Sequence, residues 1–335
     1  VLRSALAIYT AWALALCFVS PRVTAESLRV LTWNIDGGQI SAEAIRDRAS
    51  QASEIVGPMD VVVLQEVISE EQVAAAAAGF GLTEWAISDW SPPIGITDKW
   101  FRSLEVAVIS RLPMIRASEW DTTGRRPQGD GFPPRASAEN VPTAERRVTV
   151  DFGPEVPSRG YLRVDLDGGW TVYAVHWKSS RGQSCNAQDI GFARQREDQA
   201  AGLADDARLA LRSERTVIIA GDFNIQSPGR VDRVGTDTAV DCAPTGTCDG
   251  ICGSRFLDGY DDSIHRLLAL DETARLLSAA LDETFVGNFF PGGAIDHVLV
   301  VGPLADGFIH ATTPQRLRGN RWLGSDHRPV LAVYE

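Results

Sequence analysis

Positive charge is scarce in this sequence. Its 32 lysines and arginines face 44 aspartates and glutamates, giving a formal net charge of −12 over 335 residues. A chain this acidic is not a tight non-specific binder of nucleic acid, because its field repels polyanions. Such a balance still allows an enzyme that works on an anion inside a locally neutralised cleft. Long apolar runs are nearly absent. The single one, residues 5–19, is short for a membrane span and has no partner later in the chain. No internal repeat and no long linker divides the sequence, which sets aside repeat architectures and a string of separate domains. Cysteine is sparse, with five in all.

The apolar run follows Arg3 and is broken by Pro21, and Val23-Thr24-Ala25 offers small residues before Glu26. This is the pattern of a basic start, an apolar stretch and a small-residue cleavage site. The expectation is a secretory signal peptide over 1–25 and a mature domain over 26–335, secreted or periplasmic. A retained N-terminal anchor is the alternative. Bulky Leu16 ahead of Cys17 argues against a lipoprotein site. Residues 1–25 hold two arginines and no acid, so their removal takes the net charge from −12 to −14. Cys185, Cys242, Cys248 and Cys252 remain, an even count that suggests two disulfides with three possible connectivities. Three of the four lie in a glycine-rich loop at 241–254 that has no core pattern and would need stapling. A four-cysteine zinc site is the rival, but the spacing lacks the paired short knuckles of zinc ribbons.

What the chain does have is a series of short apolar strands that end in polar residues. Thr216-Val217-Ile218-Ile219-Ala220-Gly221-Asp222-Phe223-Asn224 is the sharpest. Its unbroken apolar run fits a strand buried on both faces. Gly221 is expected to let the backbone leave the sheet. Asp222 and Asn224 would point the same way if the strand continues. A carboxylate there can hold a water, a metal or a leaving group, and a carboxamide can donate to an anionic oxygen. An ordinary Asx turn is the bland reading of the same string.

Other strands follow the same plan. Residues 28–36 run through Asn34 and Asp36 to a turn at Gly37-Gly38, and residues 60–67 carry Glu66 at their end. Residues 170–176 end at His176, the second arm of a hairpin turned at Asp167-Gly168-Gly169. Residues 295–301 are led by Asp296. The last strand follows Ser325-Asp326-His327-Arg328-Pro329. Strands are also expected near Trp85, at 104–110 and at 114–120. Helices are expected at 41–56, from Ser69 to about Ala78 behind a capping box, at 189–212 and at 264–280. Residues 121–145 read as a loop, and Arg125, Arg126, Arg135, Arg146 and Arg147 form the main basic cluster around it. Most aromatics between Trp85 and Phe101 fit core packing, with a substrate- or lipid-facing surface as the alternative.

Each polar residue has an ordinary reading alone: a cap, a turn former, a satisfied core histidine. Hard divalent cations prefer carboxylate oxygens, which makes Glu66 a metal candidate at a sheet end shared with Asn34 and Asp222. Asp296 and His327 would form a carboxylate–imidazole dyad, in which the acid fixes the tautomer and stabilises the charged ring.

Thr32-Trp33-Asn34-Ile35-Asp36, Leu64-Gln65-Glu66, Val175-His176-Trp177-Lys178-Ser179, Gly221-Asp222-Phe223-Asn224, Ile295-Asp296-His297 and Ser325-Asp326-His327-Arg328-Pro329-Val330 occur in that order. Together they resemble the endonuclease/exonuclease/phosphatase superfamily, the metal-dependent phosphoesterases related to pancreatic deoxyribonuclease. The resemblance spans nearly all of 26–335. It implies an α/β fold: a four-layer α/β/β/α sandwich of two mixed sheets, with helices outside each and a cleft at the sheets' common edge. It implies Mg²⁺, or Mn²⁺ or Ca²⁺, held by Glu66 with Asn34, Asp36 or Asp326. His327, oriented by Asp296, would activate or orient the attacking water, and Asp222 would hold that water or serve the leaving oxygen. Asn34, His176 and Asn224 would bond phosphate oxygens.

Asp36 and Leu64-Gln65-Glu66-Val67 are most similar to the apurinic endonuclease and tyrosyl-DNA phosphodiesterase branches. The leader and cysteine loop are more similar to secreted bacterial nucleases and sphingomyelinases. Glu105 stands where many relatives have a glycine before Val-Ala, which leaves open whether it reaches the cleft. The leading expectation is an exported, monomeric phosphodiesterase acting on nucleic acid. A phospholipid or small-molecule phosphoesterase is the second, with Trp90, Trp100, Phe289 and Phe290 facing a membrane. A catalytically silent binding module is the third.

Overall fold

A computed structural model describes residues 27–38, 40–88, 104–120, 160–177, 179, 187–227, 263–286, 293–315 and 321–335. Residues 1–25, expected to be a signal peptide, all five cysteines, the arginine cluster, and Trp90, Trp100, Phe101, Phe289 and Phe290 lie outside the described residues.

Twelve described strands form two six-stranded mixed sheets. The first contains β1 (Leu28–Asn34), β2 (Val61–Val67), β3 (Glu84–Ile87), β4 (Glu105–Ser110), β11 (Phe308–Thr312) and β12 (Val330–Tyr334), in the order β11-β12-β1-β2-β4-β3. The second contains β5 (Met114–Trp120), β6 (Tyr161–Leu166), β7 (Trp170–His176), β8 (Thr216–Asp222), β9 (Arg275–Leu276) and β10 (Asp296–Val301), in the order β5-β6-β7-β8-β10-β9. The pairs β1–β2 and β7–β8 are parallel. Helices α1 (Ala42–Val56) and α2 (Glu70–Phe80) accompany the first sheet, and α3 (Ala187–Arg212) and α4 (Ser263–Leu268) the second.

Strand alternation sorts the core into three apolar layers. Val30, Val61, Val63, Val172, Ala174, Ile218, Ala220, Val298 and Val300 pack between the sheets. Leu31, Val62 and Leu64 face the other way, onto Ile45, Ala49, Val73 and Ala76 of α1 and α2. Tyr173, Val217, Ile219 and Leu299 meet Ala200, Leu203 and Ala207 of α3. The result is the expected α/β/β/α sandwich.

Local signals account for the helix ends. Ser41 caps α1 by accepting the Ala44 N–H, and Gly57 closes it. Ser69 caps α2, and Gly81 ends it in the left-handed conformation. The helix expected over 264–280 stops at Leu268, and the chain continues through β9 into a 3₁₀ turn, Leu277–Ala280. Asp271 is the reason: its Oδ1 accepts both the Thr273 N–H, at 2.9 Å, and the Thr273 hydroxyl, at 2.8 Å. That side chain offers the backbone a turn in place of a helical bond. Strand β11 was not anticipated. Trp85 is a core residue against α1 and α2.

Candidate active site

Alternation places four polar side chains at one end of the sandwich. On β1, Asn34 follows Val30 and Thr32 on the face between the sheets. On β7, β8 and β10 the same face carries His176, Asp222 and Asp296. His176 pairs in register with Asp222, and Asp222 with Asp296, so one row of the second sheet presents all three. The cost of burying so many polar groups is met by mutual hydrogen bonding.

Glu66 reaches this row by a different device. Val62 and Leu64 face the helices, so plain alternation would send Glu66 there too. The register of β2 against β4 shifts between Gln65 and Val67, and Glu66 has φ 63°. It is the extra residue of a β-bulge. Val67 then resumes the helix-facing layer. The bulge turns the Glu66 carboxylate into the cleft. Glu105 keeps ordinary alternation with the helix-facing Ala107 and Ile109, and its Oε2 accepts the Ser88 hydroxyl at 2.6 Å. It points away from the cleft.

Asn34 is the hub. Its Nδ2 lies 3.1 Å from Glu66 Oε1, 3.2 Å from Asp222 Oδ2 and 3.5 Å from His327 Nε2. His176 Nε2 lies 3.5 Å from Asp222 Oδ2 and 3.8 Å from Glu66 Oε1. His327 Nδ1 faces both oxygens of Asp296, at 2.8 and 3.0 Å, and its Nε2 is 3.9 Å from Asp222 Oδ2. Burial alone would lower the His327 pKa, but Asp296, Asp222 and Asp326 raise it to about 10. Asp296 accepts from Nδ1–H, which directs Nε2 toward Asn34 and Asp222.

The remaining predicted residues sit at the rim. Strand β8 ends at Asp222, and Asn224 has φ 54°, so it does not continue the alternation. Its backbone N–H donates to Asp222 Oδ1 at 2.8 Å, and its Nδ2 donates to the Trp177 carbonyl at 3.1 Å. The expected role of Gly221 is corrected: the chain stays in the sheet there. A Cβ at Gly221 would fall 1.9 Å from the Val175 carbonyl oxygen, so glycine is needed for the close approach of β7. Asp36, at φ 51°, pairs with Arg321 at 3.0 Å. Burial and then the nearby Asp326 charge raise its pKa.

Several supporting residues were given no role by the motif reading. Ser325 donates its hydroxyl to the Asn34 carbonyl at 2.7 Å and accepts the His327 N–H at 3.0 Å. Trp33 Nε1 donates to the His327 carbonyl at 3.2 Å. Gln72 Nε2 holds the loop after Asp36 through the carbonyls of Gly37 and Ile40, each at 2.8 Å. His297 is buried and its pKa is lowered by that burial to about 4. Being neutral, it donates Nε2–H to the Ile225 carbonyl at 2.8 Å and accepts from Ser278 at 2.7 Å on Nδ1. It fixes the loop after Asp222 rather than joining the chemistry. Trp33, His297 and Ser325 sat inside the quoted motifs and Gln72 in the capping box before α2, but their long-range partners carried no local signal.

The donor set suits a divalent cation. Ligand atoms of Asp222, Asp296 and His327 lie within 4.8 Å of one another, all buried. Asp296, however, is committed to His327 through both oxygens. The oxygen-rich side is Glu66, Asn34 and Asp222, where one amide nitrogen now bridges two carboxylates of different sheets. Hard oxygen ligands of this kind match magnesium-like ions.

Solved structures share this arrangement of strands. A 3′-5′ exonuclease (NExo) from Neisseria meningitidis is 18% identical, with a TM-score of 0.54 over 92% of this chain and 100% of that one. An AP endonuclease from Archaeoglobus fulgidus is 14% identical, with a TM-score of 0.56 over 92% and 99%. Truncated TDP2 from Caenorhabditis elegans is 16% identical, with a TM-score of 0.51 over 92% and 97%. At these identities the likeness shows the fold. No curated protein sequence is similar enough to count as a match. The sequence profile of the Endonuclease/Exonuclease/phosphatase family matches residues 31–327. That span runs from β1 to the histidine of the dyad and takes in every strand that carries the cleft. The chain therefore belongs to the Endonuclease/Exonuclease/phosphatase family and is a metal-dependent hydrolase of phosphoester bonds.

Proposed function

We propose that the protein is a magnesium-dependent phosphodiesterase that acts on nucleic acid. One observation carries this reading: the buried Asp296–His327 pair turns its free nitrogen toward a cluster of Asp222, Asn34, Glu66 and His176 drawn from both sheets. Glu66 with Asn34 would hold the cation, with Asp36 and Asp326 near it. A divalent cation there supplies positive charge to the phosphate and lowers the barrier to charge build-up. His327 Nε2 takes the proton of the attacking water, and Asp296 stabilises the ring as it charges. Asp222 orients that water or the departing oxygen. His176 and Asn34 present N–H donors to the phosphate oxygens, and Asn224 does so from the rim. The nucleic-acid assignment is supported by neighbours described as an exonuclease, an AP endonuclease, and a 3′ phosphatase bound to product DNA hairpin.

The net charge of −12 favours a second reading, a phospholipid or small phosphodiester as substrate. Export through the 1–25 leader and a monomeric state belong to the proposal. Fractionation of a tagged full-length protein tests export, and mature residues 26–335 should run as a monomer in sedimentation.

The deciding experiment incubates the 26–335 protein with supercoiled plasmid, sphingomyelin vesicles and bis(4-nitrophenyl) phosphate, with magnesium or chelator, beside His327→Ala. Magnesium-dependent plasmid nicking lost in the variant supports the nuclease reading. Turnover of vesicles without nicking replaces it with the lipid reading. No turnover of any substrate overturns both.

A further inference from the structure

We propose that Thr284 is a positioning residue for the Asp296–His327 pair. This rests on the reading of that pair as catalytic. Asp296 and His327 come from parts of the chain with no hydrogen-bonded strand pairing to one another. β10 belongs to the second sheet, while the His327 segment leads into β12 of the first. Something must fix their separation, because proton transfer depends on alignment to fractions of an ångström.

Thr284 touches both segments. It is fully buried. Its Oγ1 accepts the backbone N–H groups of Ile295 and Asp296, each at 3.0 Å. Its own carbonyl accepts the Arg328 N–H at 2.7 Å. Its N–H donates to the Gly293 carbonyl at 3.0 Å, and its hydroxyl proton faces the same oxygen at 3.5 Å. One residue is thus bonded at Asp296 and immediately beyond His327. The next two residues continue the bridge. Phe285 forms a β-bridge to His327 and packs on its ring at 4.9 Å, and the Val286 N–H donates to the Asp326 carbonyl at 2.9 Å.

The hydroxyl fills a gap in the ladder. β9 pairs only with Leu299 and Val300, so it does not reach the start of β10. The amides of Ile295 and Asp296 need another acceptor there. A threonine hydroxyl has two acceptor lone pairs and one donor, and this site uses all three. Valine has the same shape but none of that capacity. Serine keeps it.

The experiment compares wild type, Thr284→Val and Thr284→Ser in the 26–335 protein. The first readout is the downfield proton NMR resonance of the His327 Nδ1–H in metal-free protein. The second is kcat and KM on bis(4-nitrophenyl) phosphate with magnesium. The serine variant should keep the resonance, with kcat within about twofold of wild type. The valine variant should lose or shift the resonance, and its kcat should fall by about 100-fold with little change in KM. A folded valine variant that keeps both the resonance and kcat overturns the proposal. If valine prevents folding, Thr284→Ala against Thr284→Ser decides by the same two readings. Should wild type show the resonance but no turnover, the functional reading fails, and the resonance alone decides the placement role.

Discussion

Asn34 and Asp222 stand on different sheets, at the ends of β1 and β8, and their side chains meet at 3.2 Å. The cleft is therefore also a seam of the sandwich. One carboxamide nitrogen is shared between Asp222 and the Glu66 carboxylate, which limits repulsion between two acids that would otherwise face each other.

Replacing that amide by an acid should expose the repulsion. Asn34→Asp is expected to destabilise the chelator-treated protein by about 3 kcal/mol, as for an uncompensated buried charge. Magnesium should restore much of the loss, since a cation bound only by the folded state stabilises it. Thermal melts of both proteins with chelator and with magnesium check this. An equal magnesium response in the two proteins would contradict it.

Glu66 occupies the left-handed region for the sake of its carboxylate. Asparagine accepts that backbone more readily than glutamate. Glu66→Asn should therefore raise the stability of the metal-free protein by about 1 kcal/mol while abolishing magnesium-dependent hydrolysis. Urea denaturation beside an activity assay gives both readings.

Two histidines should bound the pH range of the metal-free protein from opposite sides. His327 is raised from 6.5 to about 10, so its contribution is full below pH 6.5 and is lost as pH rises through 10. His297 is lowered from 6.5 to about 4, so its contribution is full above pH 6.5 and is lost as pH falls toward 4. The His297 term amounts to roughly 3 kcal/mol. His327→Gln should flatten the alkaline limb of the urea midpoint, and His297→Asn the limb between pH 6.5 and about 4. Magnesium should lower the His327 pKa, which NMR titration of the ring reports directly.

Gly221→Ala tests the close contact between β7 and β8. Its Cβ would fall inside the radius of a backbone oxygen that cannot move without breaking the sheet. The expected loss is more than about 3 kcal/mol, with cleft geometry disturbed at Asp222 next door. Near-wild-type stability would mean that β7 yields more readily than its pairing suggests.

Much of this architecture was legible in the residues. The apolar runs at 61–64 and 217–220 marked the buried strands, and the polar residues at their ends are the ones that the fold gathers into one cluster. Strands alternate with a fixed period, so Asn34, His176, Asp222 and Asp296 could be placed on one end once the strands were known. Three things were hidden. The bulge at Glu66 depends on register against β4, which no local pattern reveals. Gly221 looked like an exit from the sheet because the demand on it comes from β7, far away in sequence. The helix forecast over 264–280 rested on apolar spacing, and the Asp271 side chain overrode it. Thr284 gave no signal, and Gln72 was legible only as part of a capping box, because the bonds of Thr284 to Asp296 and Arg328 and of Gln72 to Gly37 and Ile40 join distant segments.

The strand order of the first sheet bears on how the cleft assembles. β12, at residues 330–334, lies between β11 and β1 in the sheet interior, and His327 comes just before it. During synthesis Asn34 and Glu66 emerge 293 and 261 residues ahead of His327. Until then the first sheet lacks an interior strand and Asp296 lacks its imidazole partner. The strands β1 and β2 pair early and locally, whereas the Asn34–His327 contact closes a loop of 293 residues, so the cleft is among the parts of the fold with the highest contact order and the slowest to assemble.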